Sequence, residues 1–239
     1  MHLLVTRPEP DASLLADTLR GLGHKVLVAP LMQVIIRDFS IELAGVQAVL
    51  FTSANGVRAF AEQIGAPPEG MTAFAVGKAS AQLARDAGWM EVETADGDVD
   101  ALAALVTAKL APDDGSLLHV SGKAAAGDLA GALTAQGFTV NRVVGYEARL
   151  AEILPESVAR GLSAGDLDGV LLFSPRSARV LADLAEKAGL SSKLAAINAY
   201  CLSPAVADAL IARISAPESV KCKVATAPET PHLIALLSP

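Results

Sequence analysis

The sequence predicts an α/β fold made of parallel β-sheets flanked by helices, and three observations carry that prediction. Apolar runs of roughly four to seven residues alternate along the chain with helical patterns of roughly ten to fifteen, as parallel strands and their crossover helices do. About ten such runs are present, which strains a single open twisted sheet and favours two. Two extended segments, 30–38 and 142–150, break the alternation and match in length. They read as paired linkers around an inserted domain, with one continuous sheet as the simpler alternative.

The elements follow in order. Leu4-Val5-Thr6 marks a strand near 2–6, and Asp11 opens a helix near 11–22 on Leu15 and Leu19. Gly23 ends that helix before a strand near 25–29. Pro30 to Asp38 is extended and β-branched with no helix directly after it. Val49-Leu50-Phe51-Thr52 gives a strand near 47–52, followed by a helix near 55–64. A strand near 72–76 leads to a helix near 79–87, with Ser80 at its start. Another near 90–93 leads to a helix near 98–109 opened by Asp98. Leu118 to Ser121 marks a strand near 116–120, then a helix near 125–136 on Leu129 and Leu133, Gly137, and a strand near 138–143. After the second extended segment come a helix near 155–163, a strand near 169–173 and a helix near 176–188 with Ser177 at its start. A strand near 195–202, a helix near 204–214, a strand near 221–225 and a helix near 230–236 from Thr230 complete the chain.

Two pairs of strand-to-helix turns carry hydroxyls at matching places. Thr52-Ser53-Ala54-Asn55 and Gly77-Lys78-Ala79-Ser80 form one pair; Ser174-Pro175-Arg176-Ser177 and Ser203-Pro204-Ala205 form the other. Such turns aim helix amides and small hydroxyls outward, a geometry that suits anions. Together with the shared strand–helix–glycine–strand spacing of 4–26 and 118–140, they suggest two similar domains facing one ligand. Common α/β grammar is the bland alternative, and N-capping alone accounts for any single hydroxyl.

Composition narrows the function classes. With 239 residues, 52% hydrophobic and 4% aromatic, the chain suits a protein with a small-residue core. No apolar run approaches the roughly 18 residues that span a bilayer, so no membrane association is expected. The start reads as a strand rather than a signal peptide, giving a cytoplasmic expectation. Two cysteines, Cys201 and Cys222, and four scattered histidines leave no disulfide framework and no metal motif. His119 reads as a buried strand residue. A net charge of −7 argues against nucleic acid but not against a small anion met by local amides, hydroxyls and a few cations.

Phosphate-loop, dinucleotide and nucleophile-elbow motifs are absent. Tyr146 is one of only two tyrosines and stands in the second extended segment. A phenol at a domain junction can hydrogen-bond a leaving hydroxyl; a packed linker aromatic is the alternative.

The chain resembles the uroporphyrinogen-III synthase family. The residues that carry the resemblance are Val5-Thr6-Arg7-Pro8, Phe51-Thr52-Ser53-Ala54-Asn55-Gly56-Val57 and Val76-Gly77-Lys78-Ala79-Ser80-Ala81. They continue through Gly137, Val140 and Tyr146-Glu147-Ala148, then Phe173-Ser174-Pro175-Arg176-Ser177-Ala178, and Ala225 to Pro228, in the family's order. The resemblance implies two α/β domains joined by a two-stranded linker, a discontinuous one over 1–33 plus 147–239 and an inserted one over 37–142, with the substrate in the cleft. It implies that hydroxymethylbilane, a linear tetrapyrrole with eight carboxylates, loses its terminal hydroxyl as water. The ring then closes with ring D inverted, by way of an azafulvene cation and a spiro intermediate. It further implies no metal, nucleotide or organic cofactor, a monomer, and transient contact with the preceding pathway enzyme.

Tyr146 falls on the family's recurrent tyrosine, which assists hydroxyl departure. The expected carboxylate contacts are Thr6, Ser53, Asn55, Ser80, Ser121, Ser174, Ser177, Ser203 and Thr230, with Arg7 and Lys78 adding charge. Relatives often carry Arg-Gly where this chain has Ser121-Gly122, Thr in place of Ser80, and Pro-Thr where Pro228-Glu229-Thr230 stands. The competing class is a non-catalytic binder of an acidic tetrapyrrole or another polycarboxylate. A receiver-like or flavodoxin-like signalling domain lacks the acidic cluster or phosphate loop it would need.

Overall fold

The computed structural model describes residues 1–124, 127–214 and 219–238. The chain runs β1 (His2–Val5), α1 (Asp11–Gly21), β2 (Lys25–Val28), β3 (Met32–Ile36), β4 (Val46–Phe51), α2 (Ala54–Gln63), β5 (Thr72–Ala75) and α3 (Lys78–Asp86). It continues with β6 (Glu91–Thr94), α4 (Val99–Lys109), β7 (Ser116–Gly122), α5 (Leu129–Thr134), β8 (Val140–Leu150), α6 (Glu156–Ala164) and β9 (Gly169–Leu172). Then follow α7 (Pro175–Lys187), α8 (Ser191–Ala196), β10 (Asn198–Cys201), α9 (Pro204–Ile211), β11 (Lys221–Val224) and α10 (Thr230–Ala235). The chain divides into unit one, Met1–Gln33 with Arg149–Pro239, and unit two, Val34–Ala148.

In unit one, a five-stranded sheet has the order β11-β10-β9-β1-β2, with parallel neighbours throughout. Alternating residues serve opposite faces because side chains of a strand point to opposite sides. Leu3, Val5 and Leu171 pack with Leu15 and Leu19 of α1 and Leu233 of α10. Leu4, Val170 and Leu172 pack with Val158 of α6, Leu181 of α7, Leu194 of α8 and Leu210 of α9. Every residue of β9 is buried, as expected for a central strand covered on both faces.

In unit two, the order is β3-β8-β7-β4-β5-β6. Strand β4 pairs in parallel with β5 and β7, and β7 with β8. Val49, Phe51, Leu118 and Val120 meet Val57 and Phe60 of α2 and Ala84 of α3. Ala48, Leu50 and Leu117 meet Leu102 and Val106 of α4 and Leu129 and Leu133 of α5. Helix α2 lies close on β7 because Gly56 has no side chain: a Cβ there would sit 2.6 Å from the Val120 carbonyl oxygen. Gly56→Ala is expected to lower stability by about 1–3 kcal/mol, since backbone rather than a mobile side chain must yield. Urea unfolding measures it, and an unchanged midpoint would show that the α2–β7 approach relaxes freely.

The structure departs from the sequence reading at several elements. Residues 191–196 are helical, where a strand was expected from 195: Leu194 and Ala195 are buried against unit one's helical layer, and a short apolar run fits either element. Strand 138–143 and the extended stretch 142–150 are one strand, β8. The extended stretch 30–38 contains β3, the neighbour of β8 in the sheet. The Arg37 N–H bonds the Gly145 carbonyl at 2.9 Å, and the Ala151 N–H bonds that of Leu31 at 2.9 Å. Helix α5 starts at Leu129 with Asp128 accepting from the Gly131 amide; residues 125 and 126 of the expected helix lie outside the described residues. Asp98 caps α4 as expected, whereas Ser80 and Ser177 stand in the third helical position behind Gly77 and Ser174.

Candidate functional site

Both sheets reverse their strand order at one place. Strands β1 and β9 flank the reversal in unit one, and β4 and β7 flank it in unit two. In open α/β sheets the crevice beyond the carboxyl ends of such strands is where ligands bind. Each reversal carries a serine-capped helix. Ser53 after β4 accepts from the Gly56 amide at 3.3 Å, and Ser174 after β9 accepts from the Ser177 amide at 3.1 Å.

Unit two brings Ser53 and Tyr146 together, with Ser53 Oγ 2.7 Å from the Tyr146 hydroxyl. A register shift between Ser121 and Gly122 sets Gly122 opposite Tyr146. A Cβ on Gly122 would lie 2.8 Å from Tyr146 Cζ and 3.0 Å from its oxygen, so the phenol ring rests on bare backbone. Arg142 of β8 fixes this strand end by donating from Nε to Ser121 Oγ at 2.8 Å and from Nη2 to the Gly122 carbonyl at 2.9 Å. Glu147, next to the phenol in sequence, pairs with Arg37 at 2.7 Å and Lys123 at 3.4 Å.

The other expected residues of unit two are placed less openly. Ser121 is 1% exposed and its hydroxyl already serves Arg142 and the Val143 carbonyl. Asn55 Oδ1 accepts from Arg58 Nη1 at 2.8 Å. Lys78 is exposed at the first residue of α3, and Ser80 is buried in that helix. His119 is buried as expected, with Nε2 3.3 Å from Thr52 Oγ1 and Nδ1 without a partner. Burial, and then the Arg142 charge, lower its pKa from 6.5 to about 4.

In unit one Arg7 follows β1 and lies over the Phe173 ring at 4.5 Å, across the strand reversal. It pairs with Asp11 at 2.7 Å, so its charge is partly offset. Ser174 and Ser177 hydroxyls are 3.0 Å apart, with Ser177 buried. Ser203 stands before α9 without capping it. Thr6 is 1% exposed and its carbonyl accepts from the Leu31 amide at 3.0 Å, so the residue is buried in the unit. Arg7 and Thr230 line one cavity of about 840 Å³ between α1 and α10, walled by Leu14, Leu15, Ile234 and Leu237.

Sequence reasoning missed Gly122 and Arg142. Gly122 and Arg142 depend on strand register, which no local motif records; the only available signal was the Ser121-Gly122 pair itself. Cys201 is buried beside Cys222, and burial followed by that neighbour pushes its pKa to about 12, which leaves the thiol protonated and inert. Among the described residues no group of three or more His, Cys, Asp or Glu side chains could hold a metal ion, and no helix is long and apolar enough to cross a membrane.

A family model described as uroporphyrinogen-III synthase HemD matches residues 13–234. The crystal structure of uroporphyrinogen-III synthetase from Helicobacter pylori is 16% identical, over 99% of this chain and 98% of that one, with a TM-score of 0.63. A mutant uroporphyrinogen III synthase from the extremely thermophilic bacterium Thermus thermophilus is 19% identical, over 99% of this chain and 96% of that one, with a TM-score of 0.58. Both structural likenesses are likenesses of fold: two mainly parallel sheets flanked by helices. No curated protein gives a significant match.

Proposed function

This chain belongs to the uroporphyrinogen-III synthase family, a family of cofactor-free cyclising lyases, and from that premise we propose how its residues divide the work. The reaction is the closure of hydroxymethylbilane to uroporphyrinogen III, with loss of water and inversion of ring D. The bilane also closes unaided to the uninverted type I isomer, so the protein's task is control of geometry as much as rate. Holding a flexible polyanion in one conformation can supply several kcal/mol.

The observation that carries the site reading is the 2.7 Å contact between Ser53 and Tyr146 at the strand reversal of unit two. In this reading the substrate's pyrrole nitrogen lone pair expels the terminal hydroxyl, and the Tyr146 O–H hydrogen-bonds the departing oxygen. Carboxylates are held by the amides of the turns that start α2 and α7, by the Ser174 hydroxyl, and by Ser203, Lys78, Asn55, Arg7 and Thr230, while Ser53 meets the Tyr146 phenol. Thr6, Ser80, Ser121 and Ser177, being buried, act through the backbone of the turns they support. The protein acts as a cytoplasmic monomer and receives the bilane from the enzyme that makes it.

The test is an isomer assay with hydroxymethylbilane generated in situ and no added cofactor. Predominantly type III product is expected, and type I alone would overturn the reading. Tyr146→Phe is expected to slow type III formation roughly tenfold with folding intact, the value of about one hydrogen bond. Wild-type rates in that variant would remove Tyr146 from the mechanism.

A further inference from the structure

We propose that Ser53 and Gly122 are positioning residues that hold Tyr146 as a hydrogen-bond donor toward the substrate, an inference that rests on the catalytic reading of Tyr146. Each hydroxyl has one proton to give and lone pairs to accept with. Ser53 Oγ accepts from the Gly56 amide in the first turn of α2, and its remaining partner is the Tyr146 oxygen. With a substrate oxygen in place, the chain runs from that amide to Ser53, from Ser53 to Tyr146, and from Tyr146 to the departing hydroxyl. Each hydroxyl donates once, the Gly56 amide being shared between Ser53 Oγ and the Ser53 carbonyl, and bonds in such a chain polarise one another. Ser53 thus acts through the phenol rather than on a carboxylate.

Gly122 sets where the phenol lies. The register shift at Ser121 and Gly122 brings bare backbone under the ring, and the Lys123 amide bonds the Tyr146 carbonyl at 2.9 Å. Arg142 holds the Gly122 carbonyl from the other side. An alanine at 122 would occupy the space of Cζ, Cε2 and the phenol oxygen, and the ring, not the backbone, is what yields. The protein folds, but the hydroxyl leaves Ser53.

The experiment is a double-mutant cycle on type III formation by the full chain, using Ser53→Ala and Gly122→Ala, each alone and combined with Tyr146→Phe. Each single variant is expected to lose roughly as much kcat as Tyr146→Phe, about tenfold, with little change in KM and no further loss in the doubles. Ser53→Thr, which keeps the hydroxyl, is expected to retain the rate. Carbon-13 NMR of Cζ-labelled tyrosine reads the contact without substrate. The chain has two tyrosines, Tyr200→Phe assigns them, and the Tyr146 resonance should move in both single variants. Multiplicative losses in the doubles, or an unmoved resonance, would overturn the positioning role with synthase activity intact. A wild-type protein that makes only type I isomer would overturn the functional reading, while a moving resonance would still confirm the Ser53–Tyr146 contact.

Discussion

Truncating Phe51 to alanine lowers the stability of unit two by about 3–5 kcal/mol, the range for deleting a fully buried aromatic. Phe51 is 0% exposed at the end of β4 and meets Phe60 and Trp89 edge-on, at centroid distances of 6.0 Å and 5.6 Å. Phe60 and Trp89 themselves lie 5.1 Å apart, so one ring holds a strand, α2 and the segment after α3 together. Aromatic pairs of this geometry add to area burial. Trp89 is the only tryptophan, which makes its fluorescence a local reporter during urea unfolding. A loss under about 1 kcal/mol would show that the cavity collapses and that the cluster is not the anchor of this face.

Acidification from pH 6.5 to pH 4 costs the protein about 3 kcal/mol through His119 alone. In the unfolded chain the imidazole takes a proton below 6.5; in the native state it resists until about 4. The contribution is therefore fully present above pH 6.5, declines as pH falls through that window, and levels off below it. Burial is the first cause and the Arg142 guanidinium the second. The difference in unfolding free energy between the wild type and His119→Gln, followed by urea titration at several pH values, isolates this one group from the carboxylates. A pH-independent difference, or an imidazole midpoint near the ordinary 6.5 by NMR, would place His119 in contact with water.

Most elements were legible in the sequence because strand and helix periods alternate cleanly in a parallel α/β chain. The apolar runs at 2–5, 46–51 and 169–172 are central strands, and the helices after them start within one residue of the expected positions, although Ser174 rather than Ser177 caps the last of them. The failures share one cause. Leu194-Ala195 carries no period long enough to separate helix from strand, and only packing under α6 and α7 decided it. The hydroxyl turns were found, but hydroxyl identity does not say who is buried: Thr6 and Ser121 point inward while Ser53 meets a phenol. Gly122 and Arg142 acquire their roles from a register shift between β7 and β8. Such a shift is a property of two strands joined over distance, and the residues themselves do not announce it.

The position of β1 has a consequence for how the chain is made. Its partner on one side is β2, close in sequence, but on the other it is β9, with Leu3 opposite Gly169. At ribosomal rates of roughly 5–20 residues per second, β1 and β2 wait on the order of 10 s for β9 to be synthesised. Unit two is contiguous and emerges in full during that interval. The nascent chain therefore holds an unfinished apolar strand edge at its start while a complete sheet folds behind it, which makes Leu3-Leu4-Val5 the segment a chaperone would shield first.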